Sequence, residues 1–156
     1  MKLGTLCYIE QDNQYLMLHR IKKVNDIHKG LWVGLGGKFE PGESPEDCVI
    51  REVFEESGLI IKTPELRGIL TFPRDGFNQD DWHVFLFTAS NFSGNLKKSN
   101  EGELAWIDKN QLSDYPMHEA DRNFLKWIQE NKGIFSAKYI YENGVLKDSV
   151  TTVYSP

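Results

Sequence analysis

Gly37–Leu59 reads GKFEPGESPEDCVIREVFEESGL, and it places Arg51, Glu52, Glu55 and Glu56 within six residues, between a glycine loop and a glycine stop. Ser44-Pro45-Glu46-Asp47 predicts a helix start. The serine oxygen accepts from backbone N–H groups that lack an intrahelical partner, proline suits the first helical position, and two acids meet the positive end of the helix dipole. Gly58 then stops the helix. Cys48, Val49, Val53 and Phe54 are expected to face a core, whereas Glu52, Glu55 and Glu56 stand three and four positions apart and share one exposed face. Their carboxylates repel one another. Arg51 and solvent relieve part of that repulsion and a divalent cation relieves more. Mg2+, or Mn2+ in its place, takes oxygen ligands while keeping waters and sharing substrate phosphates.

Outward from this segment, the 156 residues are 40% hydrophobic and 12% aromatic, enough for one core, so a single domain over 1–156 is expected. A net charge of −5 without any basic run argues against long nucleic acid, which needs clustered Lys and Arg to displace counterions. A small anion held through a metal stays compatible. Cys7 and Cys48 are too few for a disulfide framework. The N-terminus has neither a basic-apolar leader nor a spanning apolar run, so a reduced, cytoplasmic chain without a membrane partner is expected. Nothing in the sequence sets the oligomeric state.

Residues 3–10 and 15–21 read as strands separated by the turn formers Gln11-Asp12-Asn13, and 66–72 and 82–89 as two more with a polar loop between them. Residues 103–107 give another short strand. From Glu119 to Glu130, Phe124, Trp127 and Ile128 recur at helical spacing with Leu125 beside them, predicting an amphipathic helix against a sheet. Residues 135–142 and 145–154 flank Asn143-Gly144, whose tolerance of positive φ predicts a tight hairpin. By itself the pattern implies a compact mixed fold of class α+β.

A glutamate-rich helix face is most often solvated surface. Here, however, Gly37, Glu43, Arg51, Glu52, Val53, Glu55, Glu56, Gly58 and Leu59 fill every fixed position of the Nudix box, and the chain resembles the Nudix hydrolases. The resemblance implies an α/β/α sandwich with a mixed, curved sheet, the box helix lying against it with its glutamates toward a cleft. It also implies hydrolysis of a nucleoside diphosphate linked to another group. In that reading Glu52, Glu55, Glu56 and the backbone carbonyl of Gly36 are metal ligands, Arg51 orients the carboxylates, and Glu43 and Gly58 are structural. Glu52 is taken first as the base, although spacing does not separate it from the other glutamates. Glu101 is the further acid expected from outside the box, with Glu103 as its competitor.

Leu31-Trp32-Val33-Gly34-Leu35-Gly36-Gly37-Lys38 and Asp81-Trp82-His83-Val84-Phe85 are similar to runs in the MutT-like hydrolases of oxidised purine nucleotides, the 8-oxo-dGTP diphosphatases that serve nucleotide sanitation and DNA repair. This implies substrate contacts from Lys23, Trp32, Val33, Leu35, Gly36, Gly37, Lys38 and Asp121. One departure stands out. Val33 occupies the place of a base-reading asparagine and offers no side-chain hydrogen bond, which shifts the reading of the base toward Asp121 or nearby Glu119. As an acid in the first turn of a helix, Asp121 also has an ordinary structural explanation. An ADP-ribose or nucleotide-sugar hydrolase of the same superfamily is the alternative, with Pro73 as its hint. A non-catalytic Nudix-shaped binding module would be expected to lose box carboxylates, and this chain keeps them.

Overall fold

The computed structural model describes residues 1–22, 28–76 and 78–154. β1 (Lys2–Gln11) and β2 (Gln14–Arg20) are the two expected strands and pair as a hairpin, and Asp12 and Asn13 take the positive φ that its two-residue turn demands. β3 (Trp32–Val33) is a short strand paired with β2. α1 (Pro45–Ser57) follows. Ser44 Oγ accepts from the Asp47 amide and Asp47 returns the bond to the Ser44 amide, a reciprocal cap worth about 1 kcal/mol. Gly58 closes the helix in the left-handed conformation at φ 80°.

β4 (Ile60–Lys62) pairs only with β7 (Asn91–Ser93) in a small separate sheet. β5 (Glu65–Phe72), β6 (Trp82–Ala89) and β8 (Gly102–Asp108) match the remaining strand expectations closely. A 3-10 turn over 109–114 leads to α2 (Glu119–Glu130), and β9 (Phe135–Glu142) and β10 (Val145–Val153) close the chain around Asn143-Gly144. The main sheet runs β10-β9-β5-β6-β1-β2-β3, with β8 also on β2. β1 with β6 and β5 with β9 are parallel while the other pairs are antiparallel, so the sheet is mixed.

Side chains alternate across the sheet, and each face has its own core. Tyr8, Met17, Leu70, Leu86, Phe124, Ile128 and Tyr139 pack on the α2 side; Cys7, Ile9, Leu16, Leu18, Leu35, Val49, Val53 and Phe87 pack on the α1 side. The result is the expected α/β/α layering. One core assignment is corrected. Phe54 is 49% exposed, because the step of about 100° per residue from buried Val53 turns it outward. The Lys97 ammonium lies 5.7 Å from its ring. Ser57 takes an inward place instead and satisfies its hydroxyl on the Val53 carbonyl at 2.6 Å. Among the described residues no helix is long and apolar enough to cross a membrane.

Candidate active site

The site is assembled where β1 and β2 part. Beyond Ile9↔Leu16 the two strands diverge, and residues 35–38 fill the gap beside β1, with Cys7 paired to Leu35 and Gly4 to Lys38. The Cys7 amide donates to the Leu35 carbonyl at 2.6 Å and the Thr5 amide to the Gly37 carbonyl at 2.8 Å. Two glycines are forced here. Gly36 sits at φ +148°, and a Cβ on it would lie 2.0 Å from the Thr5 carbonyl oxygen; a Cβ on Gly37 would lie 2.4 Å from the Glu52 carboxyl carbon. The missing side chains let the carboxylates of α1 rest on the turn's backbone.

Glu52 therefore lies directly over Gly37, and Glu56 Oε1 accepts from the Gly36 amide at 3.0 Å. Arg51 stands at the hub of the box. Its Nε and Nη2 donate to Glu43 at 2.7 and 2.9 Å, Nη1 to Glu52 at 2.9 Å and Glu55 at 3.2 Å, and Nη2 also to the Lys38 carbonyl at 3.0 Å. Its bonds to the Glu43 carboxylate push the guanidinium's pKa above its ordinary value. Glu43 in turn accepts from the Glu40 amide at 2.7 Å. Hydrogen bonds from Arg51 and from this amide hold its carboxyl at about 2. Glu43 thus braces both the loop and the arginine that aims the other acids.

Burial drives Glu56 the opposite way, to about 8, against the Gly36 amide that favours the anion; Glu101 and Glu52 push in the same direction as burial, and Arg20 opposes them. Glu52 is also raised, first by burial, with Glu55 and Glu101 adding to it against Arg51. Glu101 thus bears on both box carboxylates although it comes from a different part of the chain. Glu103, its competitor, is exposed on β8 opposite His19. The donors are all hard oxygens that disfavour one another's ionisation, the condition a divalent cation reverses, so the residues fit such a metal. Among the described residues no three acidic, His or Cys side chains are already drawn into a cation-sized cluster. Arg51 and the Gly36 amide occupy carboxylate oxygens in this arrangement.

On the α2 face, Leu6, Phe72 and Val84 stay half-buried although they belong to interior strands, so the sheet is only partly covered there. Leu6 follows Thr5, the residue bonded to Gly37. Trp32 packs on the same side, with one face stacked on His19 at 4.4 Å and an edge contact to Tyr115 at 5.3 Å. Asp121 points inward from the first turn of α2 and is 7% exposed, whereas Glu119 is exposed. Burial alone raises the Asp121 carboxyl to about 7. An acid serving only the helix dipole would sit in water, so burial separates Asp121 from that ordinary role.

The other expected contacts divide. Val33 pairs with Leu18 and packs on the α1 side, and Leu35 is fully buried there, so both lie across the sheet from Trp32. Lys38 is exposed, its ammonium 5.7 Å from the Trp82 ring. Lys23 lies outside the described residues. Sequence reasoning passed over Arg20, whose guanidinium meets the Glu101 carboxylate at 3.3 Å, and Tyr8, whose fully buried ring end lies against Gly34 in the field of Asp121. Arg20 ends a strand and Tyr8 looks like any core aromatic, so neither carried a local signal.

The glycine geometry makes a direct prediction. Gly37→Ala is expected to push the Glu52 carboxylate off the turn and lower kcat/KM about a hundred-fold, the cost of misplacing a reacting group by about 1 Å. The melting temperature should change little, since the clash is with a side-chain end rather than backbone. Full activity in Gly37→Ala would remove Glu52 from the reacting geometry.

Comparison with known proteins gives a consistent result. The NUDIX domain family model matches residues 2–128. An uncharacterized Nudix hydrolase of Bacillus subtilis is 36% identical over 140 residues, covering 88% of this chain and 85% of the relative. An ADP-ribose pyrophosphatase of Methanocaldococcus jannaschii is 32% identical over 76% of this chain and 70% of its own length. An oxidized purine nucleoside triphosphate hydrolase of Danio rerio is 33% identical over 71% and 69%. The crystal structure of a MutT protein from Bacillus halodurans superposes with a TM-score of 0.87 at 29% identity, over 97% of both chains.

Proposed function

We propose, since this chain belongs to the Nudix hydrolase family, that it hydrolyses a small nucleoside polyphosphate with Mg2+ or Mn2+, and that its substrate is an oxidised purine triphosphate such as 8-oxo-dGTP. The observation that carries the reading is the seating of Glu52 and Glu56 on the Gly36–Gly37 turn, within the field of Glu101. Glu52, Glu55, Glu56, Glu101 and the Gly36 carbonyl would hold the metal. When bound, it offsets the charge of the phosphate chain and lowers the pKa of a bound water.

The remaining chemistry belongs to the chain. Water oxygen bonds to phosphorus, the phosphoanhydride bond breaks, and its electron pair leaves on the bridging oxygen. Attack at the α or the β phosphorus gives the monophosphate and pyrophosphate. Glu52 or Glu56 takes the water's proton, both carboxylates being seated on the glycine turn where the phosphate chain would lie. Arg51 keeps the carboxylates aimed. The base packs against Leu6, Phe72, Val84 and Trp32, and Asp121 reads its polar edge. Clearing such nucleotides before a polymerase uses them would make this a cytoplasmic enzyme of nucleotide-pool sanitation, serving DNA repair.

A second reading rests on a relative of equal standing: the archaeal ADP-ribose pyrophosphatase is as similar as the purine triphosphate hydrolase. One experiment separates them. The chain is dialysed against chelator, restored with Mg2+ or Mn2+, and assayed on 8-oxo-dGTP, dGTP and ADP-ribose with products identified. The expected result is no turnover without metal, and pyrophosphate from 8-oxo-dGTP with it. Undiminished hydrolysis after chelation would sink the metal role, and orthophosphate as the first product would sink the bond assignment. Faster cleavage of ADP-ribose to AMP and ribose phosphate would install the second reading.

A further inference from the structure

Glu101 lies outside the box helix, and four contacts fix its place. Its amide donates to Ser99 Oγ at 3.1 Å, and its carbonyl accepts from the Lys22 amide at 3.3 Å. Its carboxylate meets Arg20 Nη1 at 3.3 Å, and Lys22 Nζ donates to the Ser99 carbonyl at 2.7 Å. The next residue, Gly102, opposes Arg20 in the β2–β8 ladder so closely that a Cβ on it would lie 1.8 Å from the His19 carbonyl oxygen. Residues 94–101 otherwise lack strand or helix, so no regular ladder holds the turn before Glu101. Ser99 is nevertheless only 5% exposed, whereas the stem of Lys22 crosses exposed surface to reach it.

We propose that Lys22 and Ser99 are positioning residues for Glu101, clamping the turn before β8 onto the end of β2 so that its carboxylate faces Glu52 and Glu56. The logic is one of constraint. The Lys22 ammonium fixes the Ser99 carbonyl, the Ser99 hydroxyl fixes the Glu101 amide, and the Lys22 amide fixes the Glu101 carbonyl. The peptide carrying the acid is thus held on both sides before any ligand arrives. Losing the ammonium removes the bond that fixes the Ser99 carbonyl and so loosens the turn that carries Glu101. Outer groups that orient a metal ligand characteristically change metal affinity by 10- to 100-fold. The inference rests on the metal reading given above.

The test measures Mn2+ binding to the nucleotide-free chain by the loss of the free-ion EPR signal, with melting curves taken in chelator. Lys22→Met keeps the stem and removes the charge. It is expected to raise the Mn2+ Kd about ten-fold with an unchanged melting temperature, and Lys22→Arg, which can still donate to the Ser99 carbonyl, should restore most of the affinity. Ser99→Ala should weaken Mn2+ in the same direction. In a Glu101→Gln background, Lys22→Met should have no further effect, because residues acting through one group are not additive. An unchanged Kd in Lys22→Met, or an equal loss in the Glu101→Gln background, overturns the clamp. A wild-type chain that binds no Mn2+ overturns the metal reading itself, a result distinct from either.

Discussion

Glu56→Gln is expected to lower kcat about a thousand-fold on any substrate the chain turns over, while leaving it folded. Removing one anionic ligand from a metal site forfeits several kcal/mol of charge stabilisation in the transition state, and each 1.4 kcal/mol is about ten-fold in rate. The fold should survive because glutamine copies the protonated form that burial already favours at this position, and its carbonyl oxygen can still accept from the Gly36 amide. Urea melts in chelator should give the variant a stability equal to or above wild type at pH 7. Turnover should be measured at saturating Mn2+, so that weakened affinity is not mistaken for lost chemistry. A near-normal kcat under those conditions would take Glu56 out of the catalytic centre.

The second large effect is expected at Asp121 and is read from stability. Its carboxyl is raised to about 7 by burial, whereas in the unfolded chain it should titrate near 3.9. Between those values the folded state binds more protons than the unfolded one. Stability therefore falls as pH rises from about 4 to about 7 and is not regained above. Asp121→Asn removes the charge but keeps the shape. It should match wild type near pH 4 and exceed it at pH 8 by on the order of 2–4 kcal/mol. Tyr8, Tyr139 and Tyr141 share the pocket, but burial moves their titration upward, away from this window. Parallel stability profiles for the two proteins would show that the carboxyl ionises freely when folded. Asp121→Ala, which removes both polar atoms, should in addition cut the preference for 8-oxo-dGTP over dGTP about ten-fold in kcat/KM, the cost of one lost bond to a buried partner. An unchanged ratio would make Asp121 a buried structural acid.

A protein that keeps a buried acid at such a cost has a use for it or a constraint behind it. The same holds for Glu56, and the two sit on opposite sides of the sheet. Glu56 is on the α1 side among other acids, and Asp121 is on the α2 side among aromatics. The sheet thus separates a cluster of acids from a face rich in aromatic side chains.

Much of this was legible before any coordinates. The limits of α1 were written in Ser44, Pro45 and Gly58, because caps act within a few residues and need no distant partner. The hairpins at Asp12-Asn13 and Asn143-Gly144 were equally local, as was the apolar stripe of α2. The hub role of Arg51 followed from the box, and the structure supplies its partners. Short elements escaped notice. β3, β4 and β7 span two or three residues each, too few for any period to show, and exist because a neighbouring strand offers them a ladder. The outward turn of Phe54 escaped as well, since hydrophobicity predicts burial only after the phase of the helix against the sheet is fixed.

The sequence by itself determined the box helix, its caps, and the spacing of Glu52, Glu55 and Glu56 on one face. All of these depend on interactions within one turn or one motif. Tertiary structure alone decided that Glu101 rather than Glu103 bears on those carboxylates, that Val33 and Leu35 face the α1 side while Trp32 faces the α2 side, and that Lys22 reaches Ser99. Those outcomes turn on strand register, where a shift of one residue sends every side chain to the opposite face. Register is set by how β8, β2 and β3 pair across tens of residues of sequence, a sum over the whole sheet that no local pattern encodes.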